Sequence, residues 1–217
     1  STGAIRKCQQ ASVAKGVFVL INERLMRVFL CDLVHNQTAG TNQISGGQDF
    51  VVPLNVAGLA AYVKDQLKNL VEISVFKYPQ DLLDEMSRNS PDIVGFSNYI
   101  WNEDLNAKIG SFIRQEYPGV LTLMGGPSIR DDDAGIEDFL RRNPYLDIYT
   151  PFEGEKPFLG ILKKFISEGR GFLNENTTIP GCAYLFKNEL VYLKSVQNRD
   201  VNDLVSPYLT GVLDNFL

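Results

Sequence analysis

A single histidine, His35, and three dispersed cysteines, Cys8, Cys31 and Cys182, limit the metal and redox chemistry open to this chain. No CxxC or Cys/His spacing occurs, so a zinc or iron–sulfur site within the chain is not expected, and the scattered thiols suit a reducing, cytoplasmic compartment. An imidazole can ligate a metal or titrate near neutral pH, and His35 stands just after an apolar run, Arg27 to Val34, where a strand would deliver it to a sheet edge. Glu153 and Glu155 bracket Gly154 and have the residue types of an acid/base pair. The chain supplies no nucleophile or metal for them to work with, so they read as loop-shaping groups. Asp131-Asp132-Asp133 precedes a helical pattern, where an N-cap with acidic residues on the helix dipole accounts for it better than a metal site. Ser97 and Asn98 place a hydroxyl and an amide directly after a doubly apolar strand, with the flat surfaces of Tyr99 and Trp101 beside them. Leu121 to Met124 runs into Gly125-Gly126-Pro127. Such an ending lets a ligand or another backbone approach where a Cβ would collide and leaves N–H groups free to bond it, and it also makes a tight turn.

The elements that must position these residues follow from periodicity. Short β-branched or apolar runs alternate with helical patterns, as parallel βαβ units do. Strands are expected at Arg27 to Val34, Val71 to Tyr78, Asp92 to Ser97, Leu121 to Met124 and Asp147 to Tyr149, with Val17 to Ile21 an alternative start. The third is apolar on both faces, which marks a central position. Helices are expected from Pro53, from Pro79 to Asn89, from Asn102 to Glu116, around Ile136, Phe139 and Leu140, and from Pro157 to Glu168. Cys182 to Phe186 and Leu190 to Leu193, joined at Lys187-Asn188-Glu189, form a small antiparallel hairpin after the alternation has stopped.

The fold class is therefore α/β: a flavodoxin-like (Rossmann-like), doubly wound, five-stranded parallel sheet of order 2-1-3-4-5 with a small C-terminal β-hairpin extension. In such sheets the ligand lies beyond the carboxyl ends of the strands, near the point where the strand order reverses. That nominates the loops at His35 to Val52, Ser97 to Asn102, Gly125 to Ser128 and Pro151 to Glu155. Composition restricts the ligand. Twenty-one Lys and Arg against 26 Asp and Glu, with the basic residues scattered, disfavour nucleic acid. The apolar stretch Gly16 to Val34 is broken by Asn22, Glu23, Arg24, Arg27 and Asp32, so neither a membrane span nor a signal-peptide core is expected there.

Taken in order, Pro91-Asp92-Ile93-Val94-Gly95-Phe96-Ser97, Met124-Gly125-Gly126-Pro127, Phe152-Glu153-Gly154-Glu155 with Pro157-Phe158, Ile179-Pro180-Gly181 and Ser206-Pro207-Tyr208-Leu209 resemble the N-terminal cobalamin-binding domain of cobalamin-dependent radical SAM enzymes. The resemblance spans nearly all of residues 26 to 217. It implies that Ser97, Gly125 and Gly126 lie along the nucleotide tail of cobalamin. It also implies cofactor contacts from His35, Asn36, Asn98, Tyr99, Pro127, Glu153 and Gly154. It divides the chain into an N-terminal extension (1–25), a cobalamin-binding domain (26–170) and a hairpin with a linker (171–217) towards a radical SAM domain. That domain would carry the 4Fe-4S cluster and S-adenosylmethionine, since the cysteines here do not supply Cys-x-x-x-Cys-x-x-Cys, and no catalysis is expected of this chain alone. Methyl transfer is the usual outcome in the family.

Cobalamin domains that replace the lower axial base carry Asp-x-His-x-x-Gly, and Asp32-Leu33-Val34-His35 spaces the pair one residue too widely, with Gly40 five residues beyond the histidine. The cobalt is therefore expected to receive no histidine. Two readings from other classes stand beside this one. Asn36-Gln37-Thr38-Ala39-Gly40-Thr41-Asn42 resembles the phosphate loop of an FMN-binding flavodoxin, although the next helix opens only at Pro53. A ligand-free interaction module of the same fold is the other.

Overall fold

The structure is a computed structural model, and it describes residues 25–34, 52–127, 132–195 and 205–216. The alternation of apolar runs resolves into β1 (Met26–Cys31), α1 (Leu54–Leu67), β2 (Val71–Phe76), α2 (Pro79–Arg88), β3 (Ile93–Ser97), α3 (Glu103–Glu116), β4 (Leu121–Gly125), α4 (Asp133–Arg142), β5 (Ile148–Thr150), α5 (Glu155–Glu168), β6 (Ala183–Phe186) and β7 (Glu189–Tyr192). The first five strands are parallel and ordered 2-1-3-4-5. Val17 to Ile21 and the segment from His35 to Val51 lie outside the described residues.

Two expectations change. The hairpin is no separate appendage: β6 pairs antiparallel with β5 through Tyr149 and Ala183, so the described strands form one sheet of seven. A three-residue β5 would otherwise leave a bare edge, and the hairpin covers it. Its turn is Lys187-Asn188 alone, both at positive φ (48° and 69°), which suits a two-residue hairpin; Glu189 already pairs with Phe186. The second change is that β1 stops at Cys31 rather than Val34. The Asp32 and Val34 amides still donate to Phe76 and Lys77, but the Leu33 carbonyl accepts from the Asn102 side chain, which takes the place of a strand partner.

Each face of the sheet carries its own helices. Val28, Leu30, Ile73, Ile93, Leu121, Leu123 and Ile148 pack with α1 and α5. Phe29, Phe76, Val94, Phe96, Met124 and Tyr149 pack with α2, α3 and α4. Asp132 caps α4 by accepting from the Gly135 amide at 2.9 Å, as the acidic run implied. At the amino-terminal edge Asp147 accepts from Arg114 (2.8 Å), Arg170 (2.6 Å) and the Thr122 amide (2.8 Å), which ties β4, α3 and the segment after α5 together. No helix among the described residues is long and apolar enough to cross a membrane.

Candidate functional site

The site is built from side chains that are missing. Along β3, β4 and β5 residues alternate between faces, and the registers Ser97–Gly125 and Gly125–Thr150 set three small residues in one row across the carboxyl edge. One step inward on the same face Leu30 pairs with Gly95, and Gly95 with Leu123. The helices above cannot fill the space these residues leave. The result is a cavity of about 390 Å³ between the sheet and the pair α1 and α5, open at the carboxyl edge. Leu30, Gly95 and Leu123 lie at its floor and Val56, Leu59 and Phe158 on its helical side, while Tyr99, Pro127, Phe152, Glu153 and Gly154 bring in the loops.

Three of the four nominated loops therefore meet at one place, and Ser97, Tyr99, Gly125, Gly126, Pro127, Glu153 and Gly154 all border the cavity. The fourth loop, with His35 and Asn36, and also Ser128, lie outside the described residues. Asn98 is fully buried beneath the loop rather than on the cavity wall: its side-chain oxygen accepts from Asn106 at 3.1 Å and its backbone N–H donates to the Gly125 carbonyl at 2.7 Å. Asn102 organises the same turn, accepting from the Tyr99 amide at 2.8 Å and donating to the carbonyls of Leu33 (3.2 Å) and Ser97 (3.1 Å). The ends of β1 and β3 are thereby joined at the point where the strand order reverses.

The two glycines have different reasons. Gly126 has φ 133°, and a Cβ there would lie 2.1 Å from the Asn98 carbonyl oxygen, so the backbone of the neighbouring loop occupies its side-chain space. The Tyr149 hydroxyl donates to the Gly126 carbonyl at 2.6 Å and holds the turn from beneath. A Cβ on Gly125 would instead meet the Thr150 hydroxyl at 2.8 Å, within the small-residue row.

Of the aromatic and ionisable groups near this edge of the sheet, Tyr99, Phe152, Glu153 and Glu155 line the cavity. Tyr99 and Trp101 stack with centroids 4.4 Å apart and planes within 5°, and the Asn55 amide donates to the Tyr99 hydroxyl at 2.6 Å. Burial raises the Tyr99 pKa and Asp32 adds to it, against a hydrogen bond from Ser97. Burial likewise raises the Asp32 carboxyl, with Lys77 opposing. The Cys31 thiol is fully buried and pushed well above its ordinary range by desolvation, with Asp32 adding to it, so it is no nucleophile. Among the described residues no three His, Cys, Asp or Glu side chains converge as a metal site. The arrangement can envelop a flat or elongated ligand.

No family model matches the chain. It is 27% identical over 201 residues, 92% of its length, to the cobalamin-dependent radical SAM methyltransferase TokK of Streptomyces tokunonensis. The family resemblance of the motifs is borne out. A second relative, 28% identical over 183 residues and 78% of this chain, is the 2-(S-pantetheinyl)-carbapenam-3-carboxylate methyltransferase of Streptantibioticus cattleyicolor. The chain spans about a quarter of the length of these curated relatives, 25% and 26%. Among solved structures it is similar to the cobalamin-dependent S-adenosylmethionine radical enzyme OxsB with aqua-cobalamin and S-adenosylmethionine bound, at a TM-score of 0.59 and 17% identity, over 88% of this chain and 25% of that one. At that identity the likeness speaks for the fold.

Sequence reasoning missed Thr150 and Gly58, and it placed Gly95 and Phe152 in motifs without naming them as cofactor contacts; all four line the cavity. The signal for Gly95 and Thr150 lay in Gly95-Phe96-Ser97, Met124-Gly125 and Tyr149-Thr150, where large and small residues alternate at three strand ends.

Proposed function

We propose that this chain binds cobalamin and serves as the cobalamin-binding domain of a radical SAM enzyme, with methyl transfer the reaction class of the whole protein. The observation that carries the reading is the row Ser97–Gly125–Thr150 with Gly95 behind it, which opens a slot of about 390 Å³ into the core at the switch point of the sheet. A slot of that size would suit the nucleotide tail of cobalamin, and the larger corrin ring would remain at its mouth. Ser97, Gly125 and Gly126 would hold the tail, with Thr150 adding a second hydroxyl-bearing residue to the wall. Tyr99, Pro127, Glu153 and Gly154 would border the macrocycle, with Asn98 supporting the turn from below and His35 and Asn36 contributing from the loop after β1. When bound, cobalamin supplies a cobalt centre able to carry and donate a one-carbon group. This chain's own residues bind it, orient it and keep water from the buried part.

In this reading residues 26–170 carry the cofactor, 1–25 form an extension and 171–217 lead towards a radical SAM domain of the same polypeptide, where the 4Fe-4S cluster and S-adenosylmethionine would reside. The buried, unpaired Cys31 and Cys182 support a cytoplasmic setting. Incubation with hydroxocobalamin followed by desalting tests the reading. A red protein with bound cofactor near one equivalent is the expected result. A colourless protein overturns it, and one that turns yellow with FMN supports the flavodoxin alternative.

A further inference from the structure

Phe152 has a left-handed backbone, φ 67°, at the mouth of the cavity. The other described non-glycine residues at positive φ are lysines and asparagines, two of them forming the hairpin turn. A bulky apolar residue in this region is a true outlier, since its Cβ crowds the backbone and glycine would adopt the same conformation without cost. Among the described residues the fold collects no packing return for it. Phe152 belongs to neither hydrophobic cluster, its surface is 46% exposed, and its ring partner among the described residues is the Lys194 ammonium 5.9 Å from the centroid. Two residues on, Gly154 has an ordinary φ of −96° and a Cβ there would meet only the movable end of the Leu59 side chain, so the loop has a phenylalanine, and not its glycine, at the left-handed position.

Strain that buries nothing in the core and points at an open cavity marks a ligand contact. Resting on the cobalamin reading above, we infer that Phe152 is a cofactor-binding residue whose ring forms an apolar wall at the cavity mouth, packs against the bound cofactor and excludes water there. Lys194, just beyond β7, restrains the ring from the side of the hairpin. The hairpin thus acts on the site through this contact as well as by covering the edge of β5.

The test compares Phe152→Gly, Phe152→Ala and Phe152→Tyr in the 217-residue chain, with hydroxocobalamin affinity read from visible absorbance and melting temperature measured without cofactor. Gly and Ala variants are both expected to bind at least about tenfold more weakly, equivalent to about 1.4 kcal/mol, and the Tyr variant within about twofold of the parent. At an ordinary position alanine is the more stabilising of the two; here the Gly variant should melt about 2–4 °C above the Ala variant and no lower than the parent. Unchanged affinity in both truncated variants, while the parent binds, overturns the inference and leaves the cobalamin reading standing. A Gly variant that melts well below the parent makes the ring structural and also overturns it. A parent chain that takes up no cobalamin removes both.

Discussion

On the face of the sheet that meets α2, α3 and α4, the carboxyl edge is filled by Phe96, Met124 and Tyr149, aligned across three strands and almost fully buried. On the opposite face the adjoining residues Ser97, Gly125 and Thr150 are aligned in the same way and leave a cavity beneath α1 and α5. The strands are the same and the two rows differ by one residue in sequence. One face is packed to hold the sheet together; the other is left unfilled where a ligand would complete the packing. The difference shows how a parallel sheet buried on both sides can be stable and still keep a deep site: the small residues are confined to the carboxyl edge of one face, while Val28, Ile73, Ile93, Leu121 and Ile148 keep the rest of that face packed and the other face is filled up to its edge.

The contrast can be broken first at the turn that joins the faces. Gly126→Ala places a Cβ against the Asn98 carbonyl and should destabilise the chain by roughly 3 kcal/mol or more, read by urea unfolding, with any cofactor retention lost as a consequence. A stable Gly126→Ala protein would mean that the two loops are not in contact. On the filled face Phe96→Ala should cost about 3–5 kcal/mol, by loss of transfer energy and creation of a void. The converse experiment, adding a side chain, applies to the hollow face. A Cβ at Gly58, on α1 and lining the cavity, meets no atom within 4 Å, so Gly58→Leu should leave unfolding unchanged or raise stability by about 0.5–1 kcal/mol through helix propensity. Cobalamin retention should fall at least about tenfold, equivalent to about 1.4 kcal/mol. Destabilisation by Gly58→Leu comparable to that of Phe96→Ala would erase the distinction between faces.

The smallest effect lies at Tyr149, whose ring belongs to the filled face while its hydroxyl supports the Gly126 turn. Tyr149→Phe leaves the Gly126 carbonyl without that donor and should cost about 1 kcal/mol. Burial raises the Tyr149 pKa above its ordinary 10.0, and Tyr192 adds to the rise. The folded state therefore holds the phenolic proton more tightly than the unfolded chain does. Its contribution is complete below pH 10 and is lost as the pH climbs from there through the raised folded value. Urea titrations above pH 10 should show a shallower decline for Tyr149→Phe than for the parent; identical slopes would place the hydroxyl in water.

The sequence by itself determined the elements, the parallel order and the edge of the sheet at which a ligand would sit. Periodicities of 2 and 3.6, proline starts and doubly apolar strands are local properties, legible within a dozen residues. It also marked Ser97, Gly125, Gly126 and Gly154 as residues of that edge, because polar and glycine residues at strand ends are visible without any partner. Tertiary structure alone decided the rest, since each remaining feature depends on pairs far apart in the chain. Register brought Gly125 between Ser97 and Thr150 and so turned isolated small residues into one cavity wall. Contact between loops gave Gly126 its reason in the Asn98 backbone and withdrew Asn98 from the cavity wall. The free edge of a three-residue β5 drew the hairpin into the sheet, where Lys194 reaches Phe152. The left-handed turn at Phe152 runs against local preference, and only the surrounding packing can hold a residue in a conformation that its own type disfavours.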